Sequence, residues 1–423
     1  MNFDDLTICD EIKKAIGDMG FTKLTPIQKR AIPEALKGFD LIGQAQTGSG
    51  KTIAFSIPVL EKIFIPDKSP QAIILCPTRE LSMQVASEIS KVGSKIKKLK
   101  VLAVYGGQPI GKQTRVLKKG VHIVVGTPGR VIDHIERGNL DLIGVDTVVL
   151  DEADEMLEMG FREDIEKILD NTHAKRQTLL FSATIPNEIK QIAKNYQNDP
   201  KFIKISDKKG NIPKITQYAF KCDIKEKFTA LTRLIDYYNV NLALIFCNTK
   251  KSVDFVSKHL KKEDYLVESI HGDMTQKTRD KVMNKFRNGN VNILVATDVA
   301  ARGLDIENVD VIINYDVPQN IDDYIHRIGR TARAGNKGYA FLLVSKDEIP
   351  RFNKIKQENN SKITQKELPT LGEIADVKIL NQAKYLIDDG SLEEYLKIIE
   401  KNSDSKYDSL EIAAALLKII MEN

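Results

Sequence analysis

The fold class follows from one stretch, Phe39-Asp-Leu-Ile-Gly-Gln-Ala-Gln-Thr-Gly-Ser-Gly-Lys-Thr52. The mostly apolar run from Phe39 to Ile42 predicts a strand, and the pattern after Thr52 predicts a helix. Glycines between them let backbone N–H groups converge on phosphates, and a helix N-terminus adds a favourable dipole. We interpret the segment as a phosphate loop, with Ala45 where the usual pattern has glycine. As a lone motif, it also fits an ordinary glycine turn.

A group of carboxylates follows an apolar run further along the chain. Val148-Val-Leu150 leads directly into Asp151-Glu-Ala-Asp154. A strand ending in Asp-Glu is the expected second half of a phosphate-loop NTPase, in which Lys51 reaches the β- and γ-phosphates. Thr52 and Asp151 are then the predicted Mg²⁺ ligands, and Glu152 is predicted to polarise the attacking water. Alone, these carboxylates also fit a solvated acidic turn, but their order after Lys51 favours the NTPase interpretation.

Short runs rich in Val and Ile recur along the chain, most of them followed by polar residues and a helical pattern. Near-continuous apolar strands indicate a parallel sheet covered on both faces, and therefore βαβ architecture. The polar stretch 206–213, with Gly and Pro, is predicted to be a linker. We therefore predict an α/β fold with two tandem parallel-sheet domains, residues 1–205 and 214–355. The predicted strands are residues 72–76, 121–125, 145–150, 178–181, 242–246, 291–295, 309–315 and 338–344.

The segment 365–423 differs in character from the two domains. Beyond Pro369 it has no strand-like run, and its apolar residues recur at helical spacing. The two apolar faces consist of Leu392, Leu396 and Ile399, and of Leu410, Ala414, Leu417 and Met421. We predict a small helical tail whose apolar faces are buried either against the chain's own second domain or in a homodimer.

The composition is that of a globular protein, with 42% hydrophobic and 29% charged residues among 423. No stretch approaches a membrane-spanning length of apolar residues, and the acidic N-terminus does not resemble a secretory signal. The net charge of +5 permits a polyanionic partner without requiring one. The basic run Lys95 to Lys100 is interpreted as a solvated face. The four cysteines form no CxxC pair, which favours reduced thiols in a cytoplasmic protein without a zinc site.

Together, these motifs resemble those of the DEAD-box ATP-dependent RNA helicases, and the resemblance covers residues 1–350. It implies two RecA-like domains, ATP and Mg²⁺ as cofactors, and RNA as a partner bound largely without regard to sequence. The tail is weakly similar to the region after the core in bacterial cold-shock-type relatives, where this region can support dimerisation.

The resemblance assigns adenine recognition to residues upstream of the phosphate loop. Gly20-Phe21 and Thr25-Pro-Ile-Gln28 look like the Q motif, in which the glutamine amide bonds adenine and the aromatic ring stacks on it. Thr25 and Pro26 also fit a helix N-terminus, and the two interpretations coexist. The implied nucleotide-binding residues are Phe21, Gln28, Ala45, Gln46, Thr47, Gly48, Ser49, Gly50, Lys51, Thr52 and Asp305, the last at the ribose.

Further motifs follow in the family's order and imply RNA contacts. They are Pro77-Thr-Arg-Glu-Leu81, Gly106-Gly107, Thr127-Pro-Gly-Arg130, Phe246-Cys-Asn-Thr249, Gln276-Lys-Thr-Arg279 and Ala296-Thr-Asp-Val-Ala-Ala-Arg-Gly-Leu-Asp305. Arginines, threonine hydroxyls and glycine amides suit a phosphate backbone because they read charge and shape rather than bases. The implied RNA-binding residues are Pro77, Thr78, Arg79, Gly107, Thr127, Arg130, Arg279, Thr297 and Gly303.

Two more motifs concern catalysis. In His326-Arg-Ile-Gly-Arg-Thr-Ala-Arg-Ala-Gly335, Arg330 and Arg333 are three residues apart, so that on one helical turn both point at a γ-phosphate as arginine fingers. Ser182-Ala-Thr184 resembles the element that couples the nucleotide to RNA. The implied catalytic residues are Lys51, Asp151, Glu152, Arg330 and Arg333, and the implied coupling residues are Asp154, Ser182, Thr184 and His326.

The implied catalytic groups are divided between two domains, so hydrolysis is predicted to need domain closure. ATP and RNA are then predicted to bind cooperatively, because both favour the closed state. We predict an RNA-dependent ATPase that locally unwinds short RNA duplexes; the alternative is an ATP-gated RNA clamp for ribonucleoprotein assembly. Gln28, Phe21 and the whole second domain disfavour a third interpretation, a phosphate-loop kinase or transporter-type ATPase.

Overall fold

Alternating apolar strands and amphipathic helices build two α/β units, each on its own parallel sheet. The computed structural model describes residues 2–46, 48–205, 215–301, 306, 309–332, 338–359, 362–390, 392–402 and 408–422. The predicted α/β class with two parallel sheets is confirmed. The predicted linker, residues 206–213, lies outside the described residues.

The first unit holds seven strands and nine helices among its described residues. The strands are β1 (Leu41–Gln44), β2 (Ala72–Leu75), β3 (Val101–Val104), β4 (Ile123–Gly126), β5 (Thr147–Asp151), β6 (Gln177–Ser182) and β7 (Lys201–Lys204). The helices are α1 (Asp10–Asp18), α2 (Pro26–Leu36), α3 (Lys51–Lys62), α4 (Arg79–Val92), α5 (Ile110–Lys118), α6 (Pro128–Glu136), α7 (Ala153–Glu158), α8 (Arg162–Asp170) and α9 (Asn187–Tyr196). A 3₁₀ turn, Phe3–Asp5, precedes α1.

The second unit repeats this alternation and ends in three helices. Its strands are β8 (Ile215–Lys221), β9 (Ala243–Phe246), β10 (Val267–Ile270), β11 (Ile293–Ala296), β12 (Val311–Asn314), β13 (Gly338–Val344) and β14 (Ile363–Lys366). Its helices are α10 (Lys227–Tyr237), α11 (Lys250–Lys262), α12 (Gln276–Arg287), α13 (Asp298–Ala301), α14 (Ile321–Ile328), α15 (Ile349–Glu358), α16 (Leu371–Asp388), α17 (Glu393–Asn402) and α18 (Ser409–Glu422). Among the described residues of this unit, two 3₁₀ turns occur, Ile224–Glu226 and Lys346–Glu348.

The two sheets have the same strand order. The first runs β3-β4-β2-β5-β6-β1-β7 and the second β10-β11-β9-β12-β13-β8-β14, with every pair parallel. The register brings the strand ends level: Gln44 pairs with Ser182, and Asp151 with Phe181. Side chains that follow the carboxyl ends therefore meet along one edge of each sheet, the usual location of ligand sites in open α/β sheets.

Both faces of the first sheet are buried, which explains its continuous apolar runs. Ile74, Val149 and Phe181 belong to the core on one face, and Ile73 and Val148 belong to the core on the other. All eight predicted strand segments hold a strand. The short or half-polar strands β3, β7, β8, β10 and β14 were not predicted. The second sheet continues past residue 355, because β14 pairs with β8.

The tail begins on the second unit and then becomes exposed. In the first turns of α16, Ile374 is buried, and Lys378 Nζ lies 2.7 Å from Asp236 Oδ2 of α10. Beyond residue 381 nearly every described side chain is exposed or half-buried. The large apolar side chains that are exposed here are Tyr385, Leu386, Ile387, Tyr395, Leu396, Ile398, Leu410, Leu416 and Ile419.

The four cysteines are free thiols, as the sequence predicts. Cys76 and Cys247 are buried beyond the ends of β2 and β9, and burial raises the pKa of both thiols. No helix within the described ranges has the length and apolarity needed to cross a membrane.

Candidate functional site

A glycine-rich turn joins β1 to α3 at the carboxyl edge of the first sheet. Gly48 and Gly50 have φ angles of 77° and 88°, in the left-handed region that favours glycine, and Gly50 caps the helix that begins at Lys51. The turn is anchored by the Ala45 N–H, which donates to the Ser182 carbonyl of β6 at 3.0 Å, and by Ser49 Oγ, which donates to the Gln46 carbonyl at 2.7 Å. Thr47 lies outside the described residues.

Two charged groups are buried beside this turn. Lys51 is 6% exposed, and Asp151, the last residue of β5, is 3% exposed. Burial raises the pKa of Asp151, and the nearby Lys51 ammonium offsets only part of that rise. A buried carboxylate in this position is stabilised by any further positive charge.

Mg²⁺ in nucleotide sites is usually held by one or two carboxylates together with substrate phosphates, not by an all-protein cage. Asp151 and the hydroxyl of Thr52, in the first turn of α3, fit that donor set. The described part of the chain contains no cluster of three or more His, Cys, Asp and Glu able to hold a metal. Water and substrate phosphates usually supply the remaining oxygen ligands of Mg²⁺ in such sites.

Glu152 has a left-handed backbone, with φ 53° and ψ 50°, and precedes the first residue of α7. Its N–H donates to Asp151 Oδ1 at 3.1 Å. A non-glycine residue in this conformation costs about 1–3 kcal/mol and persists only where the surroundings enforce it. The half-buried carboxylate of Glu152 thus follows a sharp turn directly after the buried Asp151.

Three residues predicted to couple nucleotide and RNA are hydrogen-bonded to one another. Asp154 Oδ2 accepts from the N–H and the hydroxyl of Thr184, at 2.7 and 2.9 Å. Ser182 Oγ accepts from the Asp154 N–H at 3.3 Å and donates to the Thr184 carbonyl at 2.6 Å. The end of β6 is therefore tied to the first turn of α7, which follows the Asp151-Glu152 pair.

The predicted adenine-reading residue is bonded to the phosphate loop. Gln28 Oε1 accepts from the Thr25 N–H at 2.9 Å, and Nε2 donates to the Gly50 carbonyl at 3.0 Å. Each amide atom keeps one further hydrogen-bonding capacity, so Gln28 can still engage a donor and an acceptor. Thr25 and Pro26 form the start of α2, as the sequence predicts, and Phe21 is 44% exposed. Glycine is favoured at position 50 by its φ of 88°, and a Cβ there would lie 2.5 Å from Gln28 Nε2, so that the Gln28 amide would have to move.

The predicted RNA contacts of this unit follow the neighbouring strands β2, β3 and β4. Pro77 precedes Thr78, which caps α4 by accepting from the Leu81 N–H at 3.3 Å. Arg79 lies against the turn after β3, since a Cβ on Gly107 would lie 2.0 Å from its Nη1. Gly107 has a φ of 81°. The guanidinium therefore occupies the space that the absent side chain leaves.

Arg130 lies in the first turn of α6, after Thr127 at the N-cap position of this helix. Its Nη1 donates to the Gln108 carbonyl and to Gln113 Oε1, both at 3.2 Å. Gln113 in turn donates to the Tyr105 carbonyl at 2.9 Å. Gln113 thus holds Arg130 in place from α5, a role that no sequence motif indicates.

The second unit carries its predicted RNA contacts at the corresponding edge. Thr249 follows β9 and caps α11, accepting from the Ser252 N–H at 3.1 Å. Thr297 follows β11 and is 9% exposed. Arg279 donates to the His271 carbonyl at 3.4 Å, while its buried Nε has no hydrogen-bond partner among the described residues. Gly303 and Asp305 lie outside those residues.

Arg330 and His326 lie at the C-terminal end of α14, and both are partly exposed. The Arg330 N–H donates to the Arg327 carbonyl at 3.3 Å, within the turn that directly follows the helix. Arg333 lies outside the described residues, so the pairing of the two arginines stays a prediction.

Arg327 is a central residue of this unit that the sequence analysis missed. It is 1% exposed and forms two bonds with the Asp298 carboxylate, at 2.6 and 2.7 Å. It also donates to Asn314 Oδ1 at 3.1 Å and to Asn248 Oδ1 at 2.8 Å, and its guanidinium stands 5.1 Å from the Phe246 ring centroid. A buried arginine needs such partners. Arg327 thereby joins α14 to the ends of β9, β11 and β12.

The chain matches three known protein families in succession. Residues 25–192 match the DEAD/DEAH box helicase family, residues 226–335 the helicase conserved C-terminal domain, and residues 372–423 the RNA helicase DeaD dimerization domain. The DEAD-box ATP-dependent RNA helicase CshA of Geobacillus kaustophilus is 47% identical over 425 residues, spanning 99% of this chain and 90% of that protein.

Two solved structures share this architecture. S. cerevisiae Dbp5 bound to RNA and ADP BeF3 has a TM-score of 0.78 at 32% identity and covers 89% of this chain and 98% of its own. Mss116p bound to ssRNA and AMP-PNP has a TM-score of 0.78 at 32% identity, with coverages of 93% and 87%. Similarity over nearly the full length, together with the strand-end motifs above, shows that the chain belongs to the DEAD-box ATP-dependent RNA helicases.

Proposed function

We propose that the chain hydrolyses ATP at the carboxyl edge of its first sheet and thereby unwinds short RNA duplexes locally. The observation that carries the proposal is the division of this edge. Candidate nucleotide residues follow β5 and β1, the candidate coupling residues Ser182 and Thr184 lie at the end of β6 between them, and candidate RNA residues follow β3, β4 and β2. These six strands are adjacent in the sheet. The Asp154–Thr184 bonds lie near the middle of this edge. The candidate nucleotide and RNA residues are therefore connected through the hydrogen bonds between the end of β6 and the start of α7.

In this proposal Lys51 and the N-H groups of the glycine-rich turn bind the phosphates. Thr52 and Asp151 hold Mg²⁺, which supplies charge neutralisation at the phosphates when bound. Glu152 orients the attacking water and accepts its proton. Gln28 bonds the adenine and Phe21 stacks on it, while Asp305 meets the ribose.

The second unit supplies Arg330 and Arg333 to the γ-phosphate when the domains close. Such arginines contribute about 10³–10⁵ in rate. His326 couples the nucleotide to the RNA side, where Arg279, Thr297 and Gly303 extend the contacts that Arg79, Thr127 and Arg130 begin. Closure then bends one strand of a short duplex and separates the pair, and hydrolysis releases it.

Linkage provides the test of this function. If ATP and RNA favour one closed state, a nonhydrolysable ATP analogue raises RNA affinity, and RNA raises analogue affinity by the same factor. We expect a factor of about 5–150, measured by titrating each ligand with and without the other. Independent binding would overturn the closure mechanism. RNA release after ATP addition distinguishes unwinding from the alternative function, an ATP-gated RNA clamp, because a clamp retains RNA for many turnovers.

We further propose that the tail forms a homodimer. Exposed apolar side chains on α17 and α18, among them Leu396 and Leu410, support it, as does the match of residues 372–423 to a dimerization domain. Light scattering tests it: Leu396→Asp with Leu410→Asp is expected to halve the mass of the full chain. A monomeric wild-type chain would refute the dimer. We also propose a cytoplasmic location, where free thiols persist.

A further inference from the structure

The first unit has a long basic segment, and of its cations only Arg130 has a role in the mechanism above. Residues 89–132 contain ten Lys and Arg and no Asp or Glu, although the whole chain carries a net charge of only +5. This stretch runs from the end of α4 through β3, α5 and β4 into α6. The strand β3 is an edge strand, so the charge is concentrated along one side of the sheet.

Most of these cations are exposed and have no acidic partner. Within the described residues, only Lys95 and Arg130 of this segment form ion pairs, Lys95 with Asp18 at 2.7 Å and Arg130 with Asp133 at 3.6 Å. The exposed cations are Lys91, Lys95, Lys97, Lys98, Lys100, Lys112, Arg115, Lys118 and Lys119. A lysine at the end of α5 also stabilises the helix dipole, which accounts for Lys118 but not for the cations of the first turns or of the loop before β3.

The surface is continuous. Lys112, Arg115 and Lys119 follow helical spacing on one face of α5, spanning about 10 Å along the axis. Lys100 Nζ donates to the Lys119 carbonyl at 3.0 Å, which places the loop cations next to the end of this helix. On the opposite side of α5, Gln113 bonds Arg130, a candidate RNA contact. The basic face therefore begins where the candidate RNA edge ends.

We propose that this basic face, formed by Lys112, Arg115 and Lys119 of α5 together with the loop 95–100 before β3, binds the backbone of an RNA duplex. This duplex arm flanks the RNA segment that the two domains clamp. The proposal rests on the proposed function and extends its RNA path. Flexible lysines bind phosphates as point charges without reading sequence, which suits a duplex recognised by its backbone. An acidic protein is a less suitable occupant, because the face continues directly into residues assigned to RNA.

The test compares two RNAs and two full-length triple variants. The probes are an oligouridine of about ten nucleotides and the same strand joined to a duplex of about 16 base pairs. The variant is Lys112→Gln/Arg115→Gln/Lys119→Gln. The control is Lys175→Gln/Lys190→Gln/Lys194→Gln, which removes three exposed charges elsewhere on the same unit.

We expect the α5 variant to bind the duplex-armed RNA about ten- to a hundredfold more weakly at 0.1 M salt. For this variant, the plot of the logarithm of the binding constant against the logarithm of the salt concentration should become less steep. The magnitude of its slope should fall by about 2–3, at roughly 0.9 per lost phosphate contact. Binding of the short oligouridine and the ATPase activity it stimulates should stay at the control level. Equal duplex binding by the variant and the control overturns this inference; failure of the wild-type chain to bind either RNA overturns the proposed function instead.

Discussion

The two sheets share one strand order, yet the side chains at their equivalent carboxyl edges are arranged differently. In the first sheet, a turn with Gly48 and Gly50 precedes Lys51 at the start of the helix that follows β1. In the second sheet, the helix after β8 also begins with a buried lysine, Lys227. Lys227 donates to the Tyr315 carbonyl at 2.8 Å and pairs with Glu348 at 2.7 Å.

The difference teaches what makes a sheet edge into a nucleotide site. Topology supplies a lysine at a helix start in both units, but the second lysine is neutralised by the protein's own carboxylates, including Asp316 at 3.4 Å. In the first sheet, glycines leave the backbone open to phosphates, and Asp151 is the nearby buried carboxylate. The carboxyl edge of the first sheet thus suits ATP, while in the proposed mechanism the second unit contributes Arg330 and Arg333.

The largest expected effect is on the contribution of the second unit. Arg330→Ala should lower RNA-stimulated kcat by about 10³–10⁵, because its charge is needed only as the transition state forms. Binding of an ATP analogue should change little. The exposed Lys258→Ala in the same unit serves as control. A normal kcat in steady-state phosphate release would show that the second unit provides no catalytic charge.

Within the first edge, Glu152→Gln should lower kcat by about 10²–10⁴, as removal of a general base does. Affinities for ATP and RNA should be retained, since the isosteric amide preserves the shape of the turn. Glu163→Gln, an exposed acid on α8, is the control. Undiminished single-turnover hydrolysis would remove Glu152 from this role.

The ion pairs of Lys227 at the carboxyl edge of the second sheet predict an effect on stability. Lys227→Met leaves two largely buried carboxylates without their cation and should lower the free energy of unfolding by about 3–5 kcal/mol. The exposed control Lys250→Met should cost no more than about 1 kcal/mol. Urea denaturation measures both. Equal stability of the two variants would mean that the ion pairs of Lys227 do not stabilise the second unit.

The Lys227–Glu348 pair should also make the free energy of unfolding depend on pH. Burial alone would raise the pKa of Glu348, but the bonds from Lys227 and Ser345 outweigh it and lower the pKa. A lowered folded-state pKa means that the stabilisation is complete above the ordinary carboxyl pKa and is lost as pH falls through the lowered value. Lys227→Met should therefore flatten the acid side of the stability curve measured between neutral and acid pH.

The smallest expected effect concerns the Asp154–Thr184 hydrogen bond at the carboxyl edge of the first sheet. Thr184→Val removes the hydroxyl bond to Asp154 but keeps the N–H bond, so the loss of stability should be about 1 kcal/mol. RNA stimulation of the ATPase should fall while the KM for ATP stays unchanged. Thr114→Val, a helix-surface hydroxyl bonded to Ile110, is the matched control. Full stimulation in Thr184→Val would make the bond purely structural.

Much of the fold was predictable because strands buried on both faces have continuous apolar runs. The strands β3 and β10 were not predicted because each is only four residues long and partly exposed. The strand β14 was not predicted because only one of its residues is buried. Local motifs also predicted which strand ends meet. Arg327 and Gln113 were not predictable, since their roles arise from partners that are distant in sequence.

The most direct test of the account is the stoichiometry of an ATP analogue bound at equilibrium to the full chain. We predict one molecule per chain, lost in Lys51→Met and retained in Lys227→Met. A second molecule per chain, or binding that survives Lys51→Met and disappears in Lys227→Met, would contradict the assignment of the nucleotide to the first sheet.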